Sequence, residues 1–226
     1  MKVARPPQPH LILDVTRLSP TVRRQRREFK RALAAVPKPV PWSWAEPRVL
    51  PLLSGPRTDD PDEPLVRVRS ELGPAVEFGL PVGPWFGRVD RPVAQRWECT
   101  AEQLMGQAMR NLRERAAELP TAVVRSGVRS GRQVSVLEGL PAWASSLVLD
   151  LPSLVRLLGS HDQLIAAART DCLVSMPLDT PSRVFSDIAV SFERQDDTLW
   201  MDPFVLEDGS MRWIQTDEFD DDWAVD

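Results

Sequence analysis

The chain has 226 residues and a formal net charge of −4, with 42% hydrophobic and 27% charged residues. A chain of that length buries about 70% of its unfolded surface and folds without disulfide or metal staples. Its composition is that of an ordinary globular protein. No apolar run approaches the ~20 residues of a membrane-spanning helix. The longest, 146–158, is interrupted by Asp150, Pro152 and Arg156.

Arg outnumbers Lys 25 to 3, and there is no Tyr. Cys99 and Cys172 stand far apart with no CxxC pairing, so two buried free thiols are expected rather than one long-range disulfide. Lys2, Arg5 and the Pro-Pro-Gln-Pro run at 6–9 leave no apolar secretion core at the start, which predicts a cytoplasmic protein with no membrane partner. The small net charge hides a strong segregation. Residues 1–31 carry nine basic and two acidic groups, and residues 193–226 carry twelve acidic and two basic ones.

In chain order, alternation over His10–Val15 predicts a strand. Ser19-Pro20 then reads as an N-cap followed by Pro at the first helical position. Val22, Phe29, Leu33 and Val36 recur near helical spacing, which predicts an amphipathic helix over 20–35. Arg23, Arg24, Arg26, Arg27, Lys30 and Arg31 lie between them as a dense basic face. Residues 37–64 contain eight prolines and the Trp42-Ser-Trp44 triplet. Proline fixes φ and removes a donor, so this stretch reads as a mostly extended connection, with a short edge strand over Arg48–Leu53.

The body begins near Leu65. Leu65–Arg69 alternates at period two and Ala75–Leu80 is a second strand. Thr100 and Gln103 form a capping-box pattern for a helix over Ala101–Leu119. Thr121–Val128 and Gln133–Leu137 flank Arg129-Ser130-Gly131 as a hairpin. Trp143–Leu149 and Ser153–Leu158 read as helical pieces. Leu164–Ala168 and Cys172–Met176 flank a close turn and read as a second hairpin. Ile188, Val190 and Phe192 alternate, which predicts a third hairpin running through 195–197 into Leu199–Leu206. Asp208-Gly209 is a further turn signal, and the chain is acidic from Gln215 onward.

Three stretches carry a resemblance. These are PLVRVRSELGPAVEFGL at 64–80, the helix TAEQLMGQAMRNL at 100–112, and, after two hairpins, SFERQDDTLWMDPFVL at 191–206. Their order and spacing resemble the YtpQ-like family of bacterial proteins over about residues 46–213. The helix pattern of Ala followed by Asn-Leu matches Ala108, Asn111 and Leu112, and Gly139 with Ala144-Ser145 matches the helix start that follows the hairpin. Where family members carry Asp-Gly-Tyr, and Arg after Ala-Ser, this chain has Glu138-Gly139-Leu140 and Ser146. The resemblance implies an α+β fold and a cytosolic location. It implies no reaction, since the family's own function is not known.

Nucleophilic catalysis requires a base beside the nucleophile. Only His10 and His161 supply imidazoles, and adjacent residues such as Ser160-His161-Asp162 point in different directions, so a polar turn is the favoured reading. No short His/Cys spacing marks a zinc site. The Asp217–Asp222 run lacks the ligand spacing of a calcium loop. No glycine-rich phosphate loop occurs, and no cofactor is expected. Gly127, Gly131, Arg125, Arg129 and Arg132 form a basic hairpin that reads as a solvated turn. The sharpest feature is the basic face at 23–31, with the electrostatic footprint of a phosphate-binding helix. The acidic segment carrying Phe219 and Trp223 has the composition of a sequence that docks on a basic surface, this helix included.

The expected class is α+β, with a mostly antiparallel or mixed sheet of hairpins and helices packed on one face. The expected organisation is an N-terminal strand and basic helix over 1–36, a Pro-rich connection over 37–64, a body over 65–213 and an acidic tail over 214–226. The leading function is a non-catalytic protein-interaction or adaptor domain with an unknown protein partner. Nucleic-acid or phosphate binding through the basic helix is the alternative, and an enzyme of unrecognised type is third.

Overall fold

The computed structural model describes residues 22–54, 65–69, 72, 74–83, 85–139, 143–159, 162–193, 199 and 202–214, with the backbone alone over 22–27 and at 69. Helix α1 spans Val22–Ala34, and one helical turn, α2, spans Trp42–Ala45. Strands β1 (Leu50–Ser54), β2 (Arg67–Arg69), β3 (Ala75–Val82) and β4 (Trp85–Arg88) form the first sheet. Helices α3 (Arg91–Arg96) and α4 (Ala101–Ala117) follow. The second sheet takes β5 (Val124–Arg129), β6 (Arg132–Glu138), β7 (Gln163–Arg169), β8 (Cys172–Pro177), β9 (Phe204–Glu207) and β10 (Ser210–Trp213). Helix α5 (Leu151–Leu158) precedes β7 and helix α6 (Ser182–Val190) follows β8. Of the described residues 37% are helical and 34% strand, the α+β class expected from the sequence.

Among the described residues every strand pairing is antiparallel. In the first sheet β3 is central, with β1 along one edge and β2 and β4 sharing the other. The second sheet runs β10-β9-β7-β8-β6-β5. Two of its hairpins turn on a residue pair with positive φ, Ser130-Gly131 and Asp208-Gly209. That is the backbone twist a two-residue hairpin needs, and it explains why glycine stands second in both. Gly79 answers a different demand. A Cβ there would lie 2.5 Å from Leu52 Cδ1 and 2.8 Å from Phe86 Cδ1, so its absence lets β1 and β4 side chains close over β3.

The main core lies around α4. Leu104, Ala108, Leu112 and Ala116 recur every four residues and are fully buried. They share a cluster with Leu50, Leu53, Val76, Phe78 and Leu80 of the first sheet. Burying each such leucine stabilises the fold by roughly 1.5–3 kcal/mol. The α4 N-terminus is capped as expected, with Gln103 N–H donating to Thr100 Oγ1 and Thr100 N–H donating to Gln103 Oε1. Within the Pro-rich stretch, α2 and β1 fold into this core. Ala45, Val49 and Leu50 are fully buried, and Trp42 packs on Trp97 with ring centroids 5.4 Å apart.

In the second sheet β7 is covered on both faces, while the edge strand β5 is exposed. Leu164, Ala166 and Ala168 join Phe185 and Ile188 of α6 in one cluster, while Ile165 and Ala167 join the main core. A strand buried on both faces reads as a continuous apolar run, which is why LIAAA has no visible period. The third hairpin expected over 188–206 is corrected by the structure. Ser182–Val190 is helix α6, and its buried residues Phe185, Ile188 and Ala189 follow helical spacing. Val190, read as an inward strand residue, is 58% exposed. The hairpin in this region is β9–β10, on the Asp208-Gly209 turn. The strand expected at 10–15 and the acidic tail at 215–226 lie outside the described residues.

Candidate functional site

Helix α1 meets the body through its C-terminal half. Phe29 stands edge-on to Trp85, with centroids 5.0 Å apart and planes at 84°. Ala32 lies over Gly83, where an added Cβ would sit 3.1 Å from Ala32 Cβ. Val36, just past the helix, is buried in the main core. These contacts fix which side of the helix faces inward. At about 100° per residue, positions 23, 24, 26, 27, 30 and 31 fall within an arc of roughly 160° on the side away from Phe29 and Ala32. The structure therefore places all six predicted binding residues on one helix. Lys30 and Arg31 are exposed, and their side chains make no hydrogen bond or ion pair among the described residues.

The charge pattern does not serve the helix itself. Arg23 and Arg24 occupy the first turn, where the macrodipole favours anions, and no acidic residue stands there. The pairs 23/27, 26/30 and 27/31 are like charges four apart, each costing roughly 0.2–0.5 kcal/mol at low salt. A bound anion would relieve both penalties.

The basic hairpin β5–β6 presents a contrast. Arg125 Nη2 is 2.5 Å from Glu138 Oε2, and Arg132 Nη1 is 2.8 Å from Asp179 Oδ2. Arg129 donates to Ser191 Oγ at 3.1 Å and its guanidinium lies 4.7 Å from the Phe192 ring centroid. Each arginine of this turn is engaged by the protein, and together they tie the hairpin to the loop after β8 and to the C-terminal end of α6.

The buried charged groups of the body are likewise internally matched, while the buried hydroxyls of Ser146 and Thr180 have no hydrogen-bond partner among the described residues. Glu77 is 1% exposed on β3. It accepts from Ser54 Oγ at 2.9 Å, from Arg67 Nε and Nη2 at 2.9 and 2.8 Å, and from Arg88 Nη1. Pairing places these residues together, since Arg67 lies opposite Glu77 and Arg88 opposite Gly79 on the same face. Arg169 donates to Asp171 Oδ1, Glu138 Oε1 and the Phe192 carbonyl, each at 2.7 Å. Burial alone would lower its pKa, but the hydrogen bonds to Asp171 and Glu138 outweigh this and hold it above the ordinary arginine range. Asp90 caps α3 by accepting from Val93 N–H at 2.8 Å, and burial raises its pKa above the ordinary 3.8.

Asn111 explains part of the sequence pattern. Its Nδ2 donates to the Glu46 and Val49 carbonyls at 2.7 and 2.8 Å, and its Oδ1 accepts from Gln107 Nε2. With Ala108 and Leu112 fully buried beside it, the Ala-Asn-Leu pattern is a packing device that fastens the 46–49 segment to α4. Ser146 is also fully buried, in the 3-10 segment Ser145–Leu149, so an arginine at that position would have to enter the core.

Ser160, His161 and His10 lie outside the described residues, and Asp162 accepts from the Asp208 N–H at 3.1 Å. Cys99 and Cys172 form no disulfide, as expected, but only Cys172 is buried and Cys99 is half-buried. Among the described residues no group of three His, Cys, Asp or Glu is placed to hold a metal ion, and no helix is long and apolar enough to cross a membrane. Sequence reasoning missed the clusters around Glu77 and Arg169, because their members come from three or more separated segments. No family model, curated protein or solved structure matches the chain.

Proposed function

We propose that the chain is a non-catalytic interaction protein of the cytoplasm, that α1 is its docking element, and that the partner is an acidic protein surface. The YtpQ-like resemblance belongs to the same proposal. The observation that carries it is the divided state of the molecule's charge. Glu77, Arg169 and the hairpin arginines have partners within the fold, whereas Lys30 and Arg31 stand exposed on a helix whose opposite side is anchored. A cationic face on a fixed helix suits an anionic partner, and arginine's forked donors suit carboxylates and phosphates alike.

Affinity capture from the native host tests this, with the wild-type chain as one bait. The second bait carries Arg23, Arg24, Arg26, Arg27, Lys30 and Arg31 changed to Gln. The expected result is a protein that survives nuclease treatment, elutes with salt and is absent from the substituted bait. Material that nuclease strips away would point instead to nucleic acid, the reading that six closely spaced cations also support. An identical set of proteins on both baits would remove α1 from the account.

A further inference from the structure

We infer that the acidic segment 215–226 of the same chain occupies the outer face of α1 when no partner is bound, a regulation that rests on the docking role proposed above for this helix. Three observations converge. The first is complementarity: residues 215–226 carry six acidic groups and no basic one, against six basic groups and one acidic group on Val22–Ala34. The second is reach. The segment leaves the body at Ile214, which is buried and bonded through its N–H to the Pro203 carbonyl. Twelve residues extend up to about 40 Å, comparable with the diameter of a domain this long, whose radius of gyration is roughly 17 Å. The third is the repulsion built into α1, which an intrachain anion relieves as well as a foreign one.

Charge alone holds such a contact weakly, because exposed charges are screened over ~8 Å at physiological salt. Two further features compensate. Phe219 and Trp223 add apolar surface to the segment, so burying them against α1 reinforces the charge attraction. Tethering also sets the segment's effective concentration near about 1 mM, so an intrinsic Kd of about 0.1 mM leaves α1 open only about one-tenth of the time. A partner must then outcompete the tail, and a small loss of tail charge opens the site.

The test compares the wild-type chain with a full-length variant in which Asp217, Glu218, Asp220, Asp221 and Asp222 are changed to Asn or Gln. Two readouts are taken: affinity for a short heparin oligosaccharide, and the backbone amide resonances of residues 28–34. The expected result is about tenfold tighter heparin binding by the variant, with shifted α1 amides that are independent of protein concentration. A second variant, Phe219→Ser with Trp223→Ser, is expected to shift the same amides. Equal affinities with unmoved amides overturn the tail contact and leave the docking role standing. Shifted amides with no heparin binding by either chain support the tail contact and count against the docking role. Shifts that grow with protein concentration assign the tail to a second copy and overturn the intrachain form.

Discussion

The β5–β6 hairpin and helix α1 are both rich in arginine, yet they differ in what their charges meet. Arg125, Arg129 and Arg132 each find a partner on another element, so the hairpin's charge holds the second sheet to α6 and to the loop after β8. Lys30 and Arg31 sit on the outward side of a helix anchored by Phe29 and Ala32. The lesson is that a cluster of cations in a sequence does not itself mark a binding site. What distinguishes the two is whether the folded body supplies the partners.

If the body's charges are structural, removing them destabilises the fold. The largest effect is expected at Glu77. Glu77→Ala leaves the Arg67 and Arg88 guanidiniums beside a buried hole and costs about 3 kcal/mol, read as a lowered urea midpoint. Asn111→Leu comes next. It orphans the Glu46 and Val49 carbonyls and costs about 2 kcal/mol, measured the same way. A cost below about 0.5 kcal/mol at either position would break the contrast, since surface substitutions behave that way.

The hairpin and the helix respond in opposite senses. Changing Arg125, Arg129 and Arg132 together to Gln removes two surface ion pairs and a ring contact, and lowers stability by about 1 kcal/mol. In a chain whose acidic tail is already neutralised, changing the six basic residues of α1 to Gln removes more like-charge repulsion and unfavourable dipole contact than attraction to Glu28, so Tm is expected to hold or rise slightly. A fall in Tm for that α1 variant would show that its charges are paired with the folded body after all.

Asp90 sharpens the comparison through pH. Burial favours its protonated form, so the folded chain holds that proton to higher pH than the unfolded chain does. Its contribution to stability is full below the unfolded value, near 3.8, and is lost as pH rises through the raised folded value. Asp90→Asn keeps an acceptor for the Val93 N–H and removes the titration. The variant's stability relative to wild type is therefore expected to increase as pH rises from 3.8 toward neutrality. The reverse slope in urea midpoints would contradict this.

Much of this arrangement was legible in local sequence. The α4 capping box, the Ser130-Gly131 turn and the period-two strands each depend on residues within a few positions of one another. Helix α6 is hidden in the sequence because Ile188, Val190 and Phe192 alternate by chance, while the helical set Phe185, Ile188 and Ala189 is short. The ion clusters were invisible for a different reason. Arg67, Glu77 and Arg88 meet only once the register of three strands is fixed, and Arg169 gathers acceptors from positions 138, 171 and 192. The basic helix was legible because its six residues lie on one element, but that its inward side is held by Trp85 and Gly83 came from the fold.

The most direct test of the central claim is retention on immobilised heparin at about 50 mM salt, where screening is mild. It compares the wild-type chain, the six-Gln α1 variant and the three-Gln hairpin variant. The account predicts that the α1 variant flows through while the hairpin variant elutes close to wild type. Loss of retention by the hairpin variant, with the α1 variant unchanged, would contradict it.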